Sequence, residues 1–411
     1  MQEPTVRPDT PGAAQAVSGR HVVFLMTLGH LINDLYANAL TPILPVLIDR
    51  FGLSMTQAGL LTTLRMLSGQ VSQPFYGLLG DRLGRRWLLG LGPLLTVGLM
   101  GLAGWAPTYS VLILCVVLAG VGSASFHPQG AAVAGQASGR RHGLGMGIFL
   151  SGGIVGVAIA PWLVVPLVSR WGLRATLLAA VPGLLVGAFL WIREGRLPQV
   201  HAVGRRTWRM DLGDSAKPLA LLLAIAACRT VMESSMITFL PVLMRQRGFS
   251  LMGAGAILSA FLLCIGVASV LGGYLGDRWD PRRVIGVTLV LGIPFLQGSL
   301  RAEGALMVAF WIVSGVLFLC SSSLNVALAQ RLAPDHAGTA SSLMSGLGLG
   351  LGGVGATLVG RLADAIGLVP AFQWLSWLPL VPAALTLLLP AMPRAFVQTA
   401  EAPPAAGKGT G

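Results

Sequence analysis

The chain has 411 residues, of which 54% are hydrophobic and only 10% charged, with a formal net charge of +13 and a mean hydropathy of +0.75. A soluble chain of this length needs far more charged surface, so the composition defines an integral membrane protein with the lipid bilayer as its first partner. No basic run is interleaved with aromatics, which excludes nucleic acid. Cys115, Cys228, Cys264 and Cys320 sit in apolar runs without CxxC or Cys/His spacing, so no disulfide framework, zinc site or cofactor is expected.

Residues 1–20 lack periodicity and read as a disordered cytoplasmic tail. The first apolar run, from His21, is too long for the core of a signal peptide. At about 20 residues per span, twelve helices are predicted near 22–46, 56–79, 87–106, 109–134, 143–168, 174–192, 218–243, 251–275, 284–300, 304–330, 338–360 and 370–390. They divide into an N-terminal six-helix bundle (21–192), a cytoplasmic linker (193–217), a C-terminal six-helix bundle (218–392) and a Pro/Ala/Gly cytoplasmic tail (393–411). The expected fold class is therefore all-α integral membrane, with twelve transmembrane helices in two pseudo-symmetric bundles. Of the 28 Lys and Arg, 19 fall in one set of loops and seven in the other, so the positive-inside bias places both termini in the cytoplasm. Arg65 and Arg229 lie inside predicted spans.

Ionisable groups inside a span cost on the order of 2.5–3.5 kcal/mol each on insertion scales, so each needs a reason. The first span carries His30, Asn33, Asp34 and Asn38, with His30, Asp34 and Asn38 on one helical face. Asp34 falls near mid-span, where a carboxyl can bind and release a proton as its surroundings change. The alternative is a fixed hydrogen-bonded Asp that ties helices together. The second span has Arg65, an electrostatic partner for Asp34 or an anionic substrate, or a side chain that snorkels to the interface. In the fourth, His127 precedes Pro128, which leaves polar backbone beside a titratable ring; the histidine either serves the substrate site or caps that backbone. The seventh carries Arg229 and Glu233 at i, i+4, read equally as mutual support or as a pair opened by an anionic substrate or a proton. The tenth offers Ser321, Ser322, Ser323 and Asn325 as cavity lining or interhelical hydrogen-bonding groups. Proton coupling is expected at Asp34, Glu233 and His30, and substrate contact at Asn33, Asn38, Arg65, His127, Arg229, Ser322 and Asn325.

The loop GLLGDRLGRR, Gly77–Arg86, returns as GYLGDRWDPRR, Gly273–Arg283. A constant offset of 196 relates Gly77, Gly80, Asp81, Arg82 and Arg86 to Gly273, Gly276, Asp277, Arg278 and Arg282. It holds without a gap back to LPVL at Leu44 and Leu240, through Gly52/Gly248, Ser54/Ser250, Ala58/Ala254 and Gly59/Gly255. A long internal repeat in an apolar chain marks a transporter built from two equivalent halves.

The twelve spans and the G-x-x-x-D-R-x-G-R-R pattern, completed by Gly77, Asp81, Arg82, Gly84, Arg85 and Arg86, resemble the major facilitator superfamily. In the second copy Asp280 and Pro281 replace the second glycine and the arginine after it. HLINDLYANALTPILPVL in the first span and GVGSASFHPQGAAVAG in the fourth resemble, within that superfamily, the fosmidomycin-resistance exporters. The resemblance implies that the first, fourth, seventh and tenth spans line a central cavity. It also implies that Asp81, with Asp277 and Arg278 in the second copy, belongs to a gating motif that latches the cytoplasmic side. Two departures bear on coupling and direction. Val116 stands where many drug–proton antiporters carry an arginine four residues before a glycine, so coupling through that arginine is not open to this chain. The antiporter motif of the fifth span is only partial: Gly152, Gly156, Ala160, Pro161, then Trp162.

These readings predict a secondary active transporter, not an enzyme, working by alternating access. The expected form is a monomer in a bacterial inner membrane that exports a small anionic or amphipathic compound against protons. The alternatives are proton-coupled uptake of a small organic anion and a non-transporting receptor on the same scaffold.

Overall fold

Long apolar runs leave the backbone one economical way to satisfy its hydrogen bonds in lipid, the helix. The computed structural model describes residues 19–83, 86–193, 215–333, 340 and 343–390, and its regular elements are helical throughout. The first half comprises α1 (Gly19–Ala37), α2 (Leu44–Phe51), α3 (Met55–Leu83), α4 (Arg86–Ala103), α5 (Tyr109–Ala137), α6 (His142–Trp171) and α7 (Thr176–Arg193). The second comprises α8 (Ala216–Gln246), α9 (Leu251–Arg278), α10 (Pro281–Arg301), α11 (Gly304–Leu319), α12 (Ser321–Leu332), α13 (Leu349–Ile366), α14 (Leu368–Leu375) and α15 (Leu380–Thr386). Among the described residues, ten segments are long and apolar enough to cross a membrane, and Leu88–Ala103 is a shorter apolar helix. With α3, whose Gln57, Arg65, Gln70 and Gln73 dilute its hydropathy, they supply the twelve expected spans. Most of the proposed linker and both tails lie outside the described residues.

Several spans differ in detail from the sequence expectation. The first is not one helix: α1 ends at Ala37, a 3-10 turn covers Thr41–Ile43, and α2 resumes at Leu44. Pro42 and Pro45 sit at the starts of those two pieces, where a missing N–H costs nothing. The tenth divides at Cys320 and the twelfth around Trp377–Pro379. Leu343–Gly348, leading into α13, is a π-helical turn.

Matched local devices underlie the repeat. Gly52 and Gly248 take the positive φ values of +60° and +86° that turn the chain after α2 and α8. Ser54 then accepts from the Gln57 amide at 3.2 Å, and Ser250 from the Gly253 amide at 3.0 Å, so the same hydroxyl caps α3 and α9. Arg50 donates to the carbonyls of Gly104 and Ala106 at 3.0 and 2.9 Å. In the second half Arg247 donates to Leu300 and Ala302 at 2.6 and 3.4 Å, acceptors displaced by the same offset of 196. Two cations that the sequence places in outer loops thus tie the end of each half's first span to the end of its third.

The halves meet along two crossings, α3 on α13 and α6 on α9. Contact is closest toward the Ser54 end. Asp364 of α13 accepts from the Met55 and Thr56 amides at 2.6 and 2.9 Å and from the Thr56 hydroxyl at 2.6 Å. Thr63 donates to the Gly353 carbonyl at 2.7 Å, and Thr238 bonds Thr62 at 3.0 Å. At this crossing Gly59 lies against the Ala356 carbonyl and Gly360 against that of Met55, leaving no room for a β-carbon. Farther along the same helices Val71, Phe75, Val267 and Val270 are 61–75% exposed. The polar and backbone contacts between the halves thus gather at the Ser54 end, opposite the Gly77–Arg86 loop.

Candidate functional site

Asp34 lies at the centre of a cluster assembled from α1, α5 and α6. His30, one turn earlier on α1, places Nε2 3.2 Å from Oδ2 of Asp34. His127 of α5 places Nε2 3.1 Å from Oδ1. Each ring's other nitrogen meets a backbone carbonyl, His30 Nδ1 that of Phe149 and His127 Nδ1 that of Ser123, both at 2.8 Å. A carbonyl only accepts, so the hydrogen-bond pattern assigns the proton of both neutral rings to Nδ1. Both Nε2 lone pairs then point at a carboxylate. Each contact is unfavourable until a proton enters it, when it becomes a charge-assisted N–H···O bond. The cluster thus has two places in which a proton is stabilising.

The surroundings hold this arrangement in register. Asn33 donates through Nδ2 to Asp34 Oδ1 at 3.1 Å and to the Ser123 hydroxyl at 2.8 Å. Asn38 turns back to donate to the Asp34 carbonyl at 2.9 Å. The His30 ring stacks on Phe149 with centroids 4.4 Å apart. Gly153 of α6 approaches so closely that a β-carbon there would lie 2.6 Å from His30 Nε2 and 2.7 Å from Asp34 Oδ2. Arg65 of α3 lies within electrostatic range of Asp34. The three ligating atoms of His30, Asp34 and His127 fall within 4.8 Å of one another, a spacing a metal ion can bridge. However, each Nε2 addresses a different carboxylate oxygen, the geometry of two N–H···O bonds rather than of convergence on one point.

Pro128 leaves α5 unbroken, and His127 covers the Ser123 carbonyl one turn back. The carbonyl that Pro128 leaves without a donor is that of Ala124, one residue on, so the His127 ring does not cap the interrupted ladder. Sequence reasoning missed its approach to Asp34, 93 positions away, together with Ser123, the Phe149 carbonyl and Gly153. The Gly152–Gly153 pair was the one legible signal, since it permits close backbone approach.

A second charged pair lies in α8. Arg229 is 7% exposed, and its Nη1 meets Glu233 Oε2 at 2.6 Å. Nη2 lies 3.4 Å from the Thr230 hydroxyl, and the buried Nε has no partner. On α12, Ser322 is half-buried and Asn325 buried with both amide atoms unpartnered. The backbones of Gly77, Asp81 and Arg82 belong to the end of α3, and Arg86 opens α4. Gly84, Arg85 and the side chains of Asp81, Arg82 and Arg86 lie outside the described residues. In the second copy, Asp277 is within electrostatic range of Arg331, and Arg278 stands 4.3 Å over the Tyr274 ring. Asp280 caps α10 through the Arg282 amide, and its carboxyl is held below its ordinary pKa by the hydrogen bond from the Arg282 side chain.

Two pseudo-equivalent bundles of apolar helices that meet along paired crossings and enclose buried ionisable groups are the architecture of a membrane transport protein. Comparison with known families gives the particular one. The chain belongs to the Major Facilitator Superfamily, whose model matches residues 26–254 and 221–410. It is 29% identical to the Fosmidomycin resistance protein of Escherichia coli (strain K12), over 89% of this chain and 91% of that one. It is 31% identical to the uncharacterized MFS-type transporter YfnC of Bacillus subtilis (strain 168), over 90% and 92%. A multidrug resistance protein, MdtG of Yersinia enterocolitica, matches at 25% over 69% and 72%. Among solved structures, an inward-facing, occupied bacterial homolog of the human lysosomal transporter Spinster superposes with a TM-score of 0.76 at 19% identity, covering 92% of this chain and 96% of that one. A point mutant of the nucleoside transporter NupG gives 0.74 at 15%, covering 90% and 99%.

Proposed function

We propose that this transporter exports a small anionic or amphipathic compound in exchange for protons, by alternating access, as a monomer in a bacterial inner membrane. The observation that carries the reading is the His30–Asp34–His127 cluster, in which fixed tautomers leave two proton positions around one buried carboxylate. Protons that enter from one side and leave to the other supply the driving force, provided the surroundings of Asp34 differ between the two states. The relatives named for fosmidomycin and multidrug resistance support the outward direction. The charge bias of the loops supports placing both termini, and the end carrying the Gly77–Arg86 loop, in the cytoplasm. The Gly77–Arg86 loop is then the cytoplasmic gate.

Purified protein in sealed vesicles tests this reading, with fosmidomycin as the first probe and the pH gradient set in either direction. Uptake into vesicles with an acidic lumen, accompanied by proton efflux, is the expected result. Accumulation into an alkaline lumen would replace export by proton-coupled uptake of an organic anion. Flux indifferent to the gradient would remove proton coupling.

A further inference from the structure

Two arginine–carboxylate pairs among the described residues of the second half are built differently. Arg282 has an acceptor at every nitrogen: Nε and Nη2 both engage the Asp280 carboxylate, the latter at 2.7 Å, and Nη1 donates to the Leu389 carbonyl at 2.8 Å. Such a closed fork is structural. Arg229 is more deeply buried yet less well served. One Glu233 oxygen meets Nη1 at 2.6 Å, the Thr230 hydroxyl is a long 3.4 Å from Nη2, and Nε has no acceptor. A guanidinium presents five donors in a rigid fork that suits a planar or tetrahedral oxyanion bidentately. A buried N–H without an acceptor is costly, and an arriving oxygen recovers that cost.

We propose that Arg229 binds the oxyanion of the transported solute, and that Glu233 occupies part of that fork in the empty protein as a built-in competitor. The proposal rests on the transport reading above, to which it adds the recognition group and the ligand class: a small carboxylate, phosphonate or phosphate. Glu233 is the partner able to yield, because its side chain is 22% exposed against 8% for that of Arg229. The displaced carboxylate has accessible space to turn into, while the guanidinium stays fixed on α8. The offset of 196 places Arg229 at the position of Asn33, beside Asp34, so the halves carry a proton cluster and an anion fork at equivalent depth. Binding exchanges one carboxylate for another oxyanion at an unchanged cation, so Arg229 keeps a counter-charge while the displaced Glu233 carboxylate, the more exposed of the two, must be met by water.

The test uses the full chain in neutral detergent without any gradient, titrated with methylphosphonate and acetate, with methylammonium as the cationic control. Saturable binding of the anions and none of methylammonium is expected in the wild type. Glu233→Gln removes the competitor and is expected to tighten anion binding about tenfold, equivalent to about 1.4 kcal/mol. The neutral pair Arg229→Met, Glu233→Gln should remain folded and lose anion binding. Should Glu233→Gln alone fail to yield monodisperse protein, the comparison of wild type with the double variant decides. Loss of binding in the double variant supports the site; equal binding in both overturns it, as does the absence of saturable anion binding in the wild type. Stronger binding of a short-chain phosphatidylglycerol than of methylphosphonate would assign the fork to lipid headgroups and overturn the solute assignment. Anion binding is read here without any flux, so failure of this proposal is separable from failure of proton coupling, which only flux reports.

Discussion

Each histidine of the cluster uses one nitrogen to fix its own ring and leaves the other to the carboxylate. That division explains how a site of three side chains can be both rigid and titratable. Rigidity depends on the approach of α6, so Gly153→Ala is a sensitive probe. Its β-carbon would force His30 and Asp34 apart, at 2.6 and 2.7 Å from their polar atoms. We expect pH-driven transport to fall at least about tenfold, while a thermal-unfolding midpoint within a few degrees shows the bundle intact, since a single methyl is small against the whole core. Unchanged transport would mean that the contacts around Asp34 do not matter to the cycle. At this scale the sequence was half legible. Mid-span depth singled out Asp34, Arg229 and Glu233, because charge in an apolar run demands a reason. Which charges meet was not legible, because His127 reaches Asp34 through helix packing that no periodicity encodes. The under-coordination of Arg229 was equally hidden.

Among the elements, the α3–α13 crossing holds the Ser54 end. At its solvent-exposed rim Asp364 accepts three hydrogen bonds from Met55 and Thr56 and so caps α3 from the opposite half. Hydrogen bonds to a charged group are worth about 1.5–3 kcal/mol. Asp364→Ala should therefore shift the balance toward the state open at this end by about tenfold or more. The four native cysteines would be replaced by alanine and one cysteine placed at Thr63, which is 4% exposed between the halves. Labelling of that cysteine by a water-soluble maleimide should then accelerate correspondingly, and an unchanged rate would deny Asp364 the latch role. Sequence patterning located the spans here but not their ends or breaks. Hydropathy falls where polar residues begin, whereas helices such as α3, α6 and α9 run on through them until a glycine or a cap intervenes. Asp364 was passed over because, near a span end, it looks like any solvated carboxylate.

Across the whole molecule, the offset of 196 read from sequence corresponds to physical devices: paired left-handed glycines, paired serine caps, and paired carbonyls clamped by arginines that stand one residue out of register, Arg50 and Arg247. Arg50 and Arg247 act in different halves on different carbonyls, so Arg50→Ala and Arg247→Ala should each destabilise by roughly 1–2 kcal/mol and add in the double variant. Calorimetry that found strong coupling between them would contradict the independence of the halves. The halves diverge in their polar interiors: the first carries His30, Asp34 and His127, the second Arg229 and Glu233. That asymmetry is what a coupled cycle needs, with one half answering to protons and the other to solute. The central claim is that Asp34 carries the coupling proton, and flux through Asp34→Asn in vesicles tests it most directly. The account predicts that pH-driven accumulation is abolished while exchange of labelled for unlabelled substrate persists, because exchange need not carry the proton across. Retained pH-driven accumulation in Asp34→Asn would contradict it.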